Sequence, residues 1–125
     1  MKKIIYTKNA PAPIGPYSQA VLHNNILYVS GQIAINPITG EIDLSNIKME
    51  TKQVMENLKA VLQEAGMDFS HIIKCSIFIS DMRNFAEINE VYGSYFTSDF
   101  PARETVEVSV LPKNVNVEIS AIASK

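Results

Sequence analysis

Cysteine is nearly missing from this 125-residue chain, and the single thiol, Cys75, has no intrachain partner for a disulfide. Set inside an apolar run, it reads as a small buried hydrophobe, and a reducing, cytoplasmic setting is expected. Histidine is almost as sparse: His23 and His71 form no ligand-spaced cluster with the cysteine, so no metal site is expected. There is no basic excess either. Eleven Lys and Arg stand against 13 Asp and Glu, a formal net charge of −2, which leaves no sequence-wide field to attract phosphate backbones or anionic lipid. Neither nucleic acid nor membrane is an expected partner. No apolar run reaches the roughly 20 residues of a membrane span, since the greasiest stretch is broken at Ser30-Gly31-Gln32. Only Ile4 and Ile5 precede the return of polarity at the start, too little for a signal-peptide core, so no export is expected. The glycines build no phosphate-cradling loop and no Gly-x-Ser-x-Gly elbow. His71, four residues from Cys75, lies on the same strand face but two pleats away. Covalent catalysis is not expected.

What is present suits one domain over residues 1–125: 46% hydrophobic side chains, 19% charged ones, and no repeat or linker-like tract. Asn9 to Pro16 carries three of the six prolines, so φ is fixed repeatedly and ladder donors are removed. An ordered extended loop of the kind that lines sites is expected there. Tyr17–His23 and Ile26–Ile35 form two strands around an Asn24-Asn25 turn able to accept positive φ, which predicts a hairpin. The apolar second strand would suit an interface.

From Ile47 to Ala65, Val54, Met55, Leu58, Val61, Leu62 and Ala65 recur at helical steps. Gly66 stands where a left-handed C-terminal cap is wanted, with Met67 placed to contact Leu62. A strand is predicted over Ile72–Ser80, with Ile73, Cys75, Ile77 and Ile79 on one face. A second helix is predicted over Asn84–Thr97, with Phe85, Ile88, Val91, Tyr92, Tyr95 and Phe96 inward and Asn84 with Glu87 as a capping pair.

Two alternating strands close the chain, Arg103–Val110 and Val115–Ala123. The pattern puts Val106, Val108 and Val110 in the core and Arg103, Thr105, Glu107 and Ser109 on the other face. A simple hairpin pairing Val110 with Val115 would set Glu107 against Glu118, and opposed like charges destabilise. The Ile72–Ser80 strand is therefore expected between them, bringing Arg103 and Glu118 to one sheet face with room for a small ligand.

Arg103 leaves the sheet just after Phe100-Pro101-Ala102, and a guanidinium offers paired donors matched to a carboxylate. An ion pair with Glu104 or Glu107 is the plainer alternative. Glu118 lies in an otherwise apolar strand and needs a partner or a role; the residue pattern by itself favours a structural salt bridge. Tyr17 offers a hydroxyl, although such tyrosines usually cover the core with their tip in water. Ser30-Gly31 permits a bulge or the close approach of a ligand. Asn89, between Glu87 and Glu90, reads as part of a solvated face.

Gly15-Pro16-Tyr17-Ser18-Gln19-Ala20, Val29-Ser30-Gly31-Gln32, Glu56-Asn57-Leu58, Pro101-Ala102-Arg103 and Val117-Glu118-Ile119 with Ala121-Ile122-Ala123 together resemble the reactive intermediate deaminase A (RidA, formerly YjgF-type) family across essentially the whole chain. The resemblance implies a chorismate-mutase-like α+β fold, a mixed six-stranded sheet with two helices packed on one face. It implies a homotrimer with ligand sites between subunits. It implies hydrolysis of 2-iminobutanoate or 2-iminopropanoate, released by PLP-dependent dehydratases, to the 2-keto acid and ammonia without a cofactor. On that basis Arg103 anchors the carboxylate and Glu118 holds or activates water. Thr105 and Gly31 offer main-chain contacts, Tyr17 and Ser30 complete the cleft from the neighbouring chain, and Asn89 joins the substrate-binding set. Many relatives have cysteine where Thr105 stands, and the change to threonine here argues against a nucleophilic thiol. A non-catalytic trimer binding 2-keto acids and a ribonuclease or translation inhibitor are the competing readings; the acidic balance and the lack of a histidine pair weigh against the second.

Overall fold

The computed structural model describes residues 1–125 and contains six strands and two helices. In chain order these are β1 (Lys3–Ile5), β2 (Ala20–His23), β3 (Ile26–Gln32), α1 (Ile47–Glu64), β4 (Ile72–Ile79), α2 (Phe85–Gly93), β5 (Ala102–Glu107) and β6 (Val117–Ser124). They form one mixed sheet in the order β1-β2-β3-β6-β4-β5, parallel only between β4 and β5. β4 does lie between β5 and β6, so Glu107 and Glu118 are not opposed. Both helices cover one face. No helix is long and apolar enough to cross a membrane.

Local sequence accounts for most of these elements. Asn24 and Asn25 both take positive φ, 49° and 63°, which turns β2 into β3 as a two-residue hairpin. The Asn46 side chain accepts from Met49 N at 3.1 Å and starts α1. At its other end Gly66 has φ 72°, with Met67 N on Leu62 O at 2.9 Å and Gly66 N on Gln63 O at 3.0 Å. This Schellman closure buries Met67. Val54, Met55, Leu58, Val61 and Leu62 of α1 are all fully buried against the inner residues of β3, β4 and β6.

Three expectations are corrected. A register shift between Ile72 and Lys74 turns Ile72 inward and leaves Ile73 exposed, after which Cys75, Ile77 and Ile79 point to the core as predicted. The second helix starts after a 3-10 turn at Met82–Asn84 whose cap is Asp81, not Asn84: Asp81 accepts from Arg83 N at 2.9 Å. It also ends at Gly93, and Tyr95 and Phe96 pack from an irregular segment around Phe69, with ring centroids 5.1 and 5.6 Å away.

The third correction concerns β5. Cys75 pairs with Arg103 and Ile77 with Thr105, so Arg103 and Thr105 point to the helix side of the sheet. Val106 faces the open side beside Phe78, and Val110 is exposed. β5 is an edge strand reached only by the short α2, so its inner face does not have to be apolar. Alternation therefore gave the right period and the wrong face.

Two glycines predict opposite outcomes. Gly66→Ala forces a side chain into the left-handed region and should cost about 1 kcal/mol. Gly93→Ala adds a Cβ with nothing within 4 Å and should gain up to about 1 kcal/mol. Urea denaturation of the two variants checks both signs.

Candidate active site

Arg103 is half-buried and has no carboxylate partner. Glu104 is taken by Lys74 at 3.0 Å and by the Ser76 hydroxyl, and Glu107 accepts from Met82 N at 2.6 Å. The plain ion-pair reading of Arg103 is therefore overturned. Nη1 of the guanidinium donates instead to Asn89 Oδ1 at 2.6 Å, and its carbon lies 5.1 Å from the Tyr92 ring centroid and 5.8 Å from that of Phe85. Two aromatic faces and one neutral acceptor fix the cation without neutralising it. The remaining donors border a broad depression shared with Phe100 and Pro101. Asn89 is thus not on an idle solvated face. Thr105 lies on the same side of the sheet, its hydroxyl buried without a partner.

Glu118 occupies the opposite side. β6 alternates strictly, Val117, Ile119, Ala121 and Ala123 going into the core and Glu118 outward, and Glu118 pairs across the ladder with Phe78. The bulge in β3 between Val29 and Gln32 brings Gly31 directly beneath the Glu118 carboxyl group. A Cβ on Gly31 would stand 2.8 Å from the carboxyl carbon of Glu118, closer than such atoms approach. No cation pairs with Glu118, so the structural salt bridge favoured by the residue pattern is absent. Burial pushes its carboxyl above the ordinary carboxylate range.

Glu118 and Gly31 line a cavity of about 340 Å³ together with Tyr17, Ser30, Ile14 and Ile33. The proline-rich loop supplies Pro11 and Ala12 to the same wall. The Tyr17 hydroxyl accepts from Ile14 N at 3.3 Å, which leaves its own proton free to donate. The Ser30 hydroxyl donates to Ser18 O at 2.6 Å, so its proton is already used and its lone pairs remain.

The expectation that Arg103 and Glu118 share a sheet face is therefore wrong for a single chain. One chain carries two separate clusters, Arg103 with Asn89 on the helix side and Glu118 with Gly31, Tyr17 and Ser30 on the open side. Gly31 and Glu118 keep company with Tyr17 and Ser30, not with Arg103. The error follows from the inverted face of β5.

Three buried polar side chains near the cavity had no role assigned from sequence. Gln19, Glu50 and Asn57, each at most 2% exposed, bond to main chain. Gln19 and Asn57 sit inside the segments that carry the RidA resemblance, and Glu50 lies four residues, about one helical turn, before Val54 at the start of the apolar stripe of α1. A polar residue at a core-facing helical position is the signal that was available.

A small α+β domain with an unpaired arginine in an aromatic cradle and a desolvated carboxylate over a glycine is the class defined so far. Residues 7–125 match the family described as endoribonuclease L-PSP. A RutC family protein of Pyrococcus horikoshii is 54% identical over 100% of this chain and 99% of its own length. The 2-iminobutanoate/2-iminopropanoate deaminase of Bos taurus is 44% identical over 98% of this chain and 90% of its own. Among solved structures, E. coli TdcF with bound serine superposes with a TM-score of 0.95 at 43% identity, covering 98% of both chains. The chain belongs to the endoribonuclease L-PSP family, which takes in RutC and RidA/YjgF-type proteins.

The raised Glu118 carboxyl has a consequence for stability. In the folded chain its charged form is disfavoured, so its contribution is most favourable below the unfolded carboxylate value, about 4.3, and is lost as pH rises through the folded one. Glu118→Gln removes that penalty. It is expected to raise Tm at pH 7 and to leave Tm unchanged near pH 4; thermal unfolding at the two values checks it.

Proposed function

We propose that the chain is a 2-imino-acid hydrolase, converting 2-iminobutanoate or 2-iminopropanoate to the 2-keto acid and ammonia. The observation that carries the reading is Arg103, a half-buried guanidinium held at its aromatic faces and at one donor, with the rest of its donors unpaired. That is a receptor for a small carboxylate. The relative named as a 2-iminobutanoate/2-iminopropanoate deaminase supports the substrate, and the neighbour with bound serine supports a ligand of that size bearing a carboxylate.

In this reading the Arg103 half-site of one copy faces the Glu118 half-site of the next in a homotrimer. The separation of the halves onto opposite sheet faces supports an inter-subunit cleft, since neither half suffices alone. Arg103 holds the substrate carboxylate, with Asn89 keeping the guanidinium oriented. Glu118 takes a proton from the attacking water as oxygen bonds to C2 of the protonated imine. It returns that proton to nitrogen, then takes the hydroxyl proton as the C2=O bond forms and the C2–N bond breaks; the ammonia that leaves carries that last proton away as ammonium. Its raised carboxyl suits both transfers. The Gly31 and Thr105 main chains and the Tyr17 and Ser30 oxygens would orient the rest of the substrate. The imine is already electrophilic, so positioning and one base suffice. A ribonuclease reading has less support: His71 caps a turn through Asp68, His23 bonds Asn24 on the surface, and neither borders either half-site.

The test couples a PLP-dependent threonine dehydratase to this protein with semicarbazide present. Wild type should suppress imine trapping. Arg103→Ala should lose roughly 100-fold in kcat/KM, since a charge-assisted pair contributes about 2–3 kcal/mol. Arg103→Lys should recover little of it, because a lysine reproduces neither the fork nor the aromatic stacking. Binding of 2-oxobutanoate without turnover in the wild type would instead make this a keto-acid-binding protein.

A further inference from the structure

The cavity beside Glu118 is walled on one side by a segment that cannot hold itself. Residues 9–16 carry Pro11, Pro13 and Pro16, and no strand pairs with them, so the ordinary ladder is not available. The side chain of Gln19, 2% exposed, takes its place. Its Oε1 accepts from Thr7 N at 2.7 Å, and its Nε2 donates to Thr7 O at 2.9 Å, Pro11 O at 2.9 Å and Ala10 O at 3.3 Å. One primary amide thus does for the strap what a neighbouring strand does elsewhere. No hydrophobic residue of the same volume can do this. Beyond the bonded residues the strap presents Ala12 and Ile14 to the cavity, and Ile14 N donates to the Tyr17 hydroxyl. The backbone of Gln19 belongs to the same unit: its carbonyl accepts from Ser30 N at 2.9 Å, one residue before the glycine beneath Glu118.

From this we infer that Gln19 is a positioning residue for the substrate pocket, holding the strap that forms its wall and orients Tyr17. The inference rests on the imine-hydrolase reading and adds to it a residue that borders the cavity and acts through the strap it holds. Two of its four bonds run to the strap and two to Thr7 at its entry, none to α1 or β6, so its loss should open the strap without unmaking the core. A group that shapes the binding wall should act on KM; one that merely stabilises the fold should lower Tm and active fraction and leave KM alone.

The test uses the full chain. Hydrogen exchange of the amides in residues 8–17 is followed in wild type with and without 2-oxobutanoate, and then in Gln19→Leu alongside kcat and KM for imine hydrolysis. The keto acid should slow exchange across the strap in wild type. Gln19→Leu should speed it about ten-fold or more, raise KM about ten-fold and leave kcat within about two-fold, with α1 exchange unchanged. Gln19→Glu keeps the shape and the acceptor for Thr7 N but turns an oxygen toward three carbonyls, and should reproduce the KM defect. If the keto acid leaves the strap's exchange untouched in a wild type that turns over imine, the inference is overturned, whether or not the variants fold. A folded Gln19→Leu with a loosened strap and an unchanged KM overturns it too. A wild type that neither binds nor turns over removes the functional reading first and this one with it.

Discussion

Everything in this fold depends on β6, the last strand in the sequence, lying at the centre of the sheet. It pairs with β3 on one side and β4 on the other, and Val117, Ile119, Ala121 and Ala123 are all at most 3% exposed. β3 and β6 are some ninety residues apart in the sequence, so the loop entropy of their pairing is met only when the whole core assembles at once. The same placement puts Glu118 in the middle of the open face. A carboxylate there is flanked by strands on both sides and stays half-buried at the cavity wall.

The polar residues of the core follow from that geometry. Glu50, 1% exposed, accepts from Asn116 N at 2.7 Å, Asn116 Nδ2 at 2.8 Å and Val117 N at 3.3 Å, tying the first turn of α1 to the entry of β6. Asn57 donates to Ile33 O at 3.0 Å and Ile35 O at 2.9 Å, where β3 has ended and the chain leaves the sheet. Gln19 serves the proline-rich strap. Each supplies donors or acceptors to main chain that has left a ladder, which is what buried backbone requires. The strap and Ile33 with Ile35 border the cavity lined by Glu118, and Asn116-Val117 lead directly into Glu118. A site built from irregular backbone needs more anchoring than the strands around it.

Much of this was legible from residue pattern. The Asn24-Asn25 hairpin, α1 with its glycine cap, and β4 between β5 and β6 all follow from periodicity, turn chemistry and one like-charge argument. What periodicity cannot supply is which of two alternating faces is inward when a strand lies at an edge under a short helix. On β5 the valines pointed to the wrong side, and Arg103 was assigned with Glu118 when the sheet separates them. Ile73 was lost to a bulge that no local signal marks. The cradle of Phe85, Asn89 and Tyr92 is spread over helical spacing on α2 and meets Arg103 only through the crossover to β5, so tertiary packing alone reveals it. The resemblance to the RidA family divided these residues differently, setting Gly31 and Glu118 with Arg103 and drawing only Tyr17 and Ser30 from the neighbouring chain, whereas one chain groups Gly31 and Glu118 with Tyr17 and Ser30.

The contact between Gly31 and the Glu118 carboxyl also constrains how sequences of this kind can drift. The two positions compete for one volume, so a side chain at 31 requires the Glu118 carboxyl to swing away from its present place or residue 118 to be smaller. A change at 31 first displaces the carboxyl, and a change to a smaller residue at 118 first leaves an empty space above the bulge. The present placement of the carboxyl therefore lasts only while residue 31 is glycine, and the identity of residue 31 becomes a written record of where the carboxyl at 118 stands.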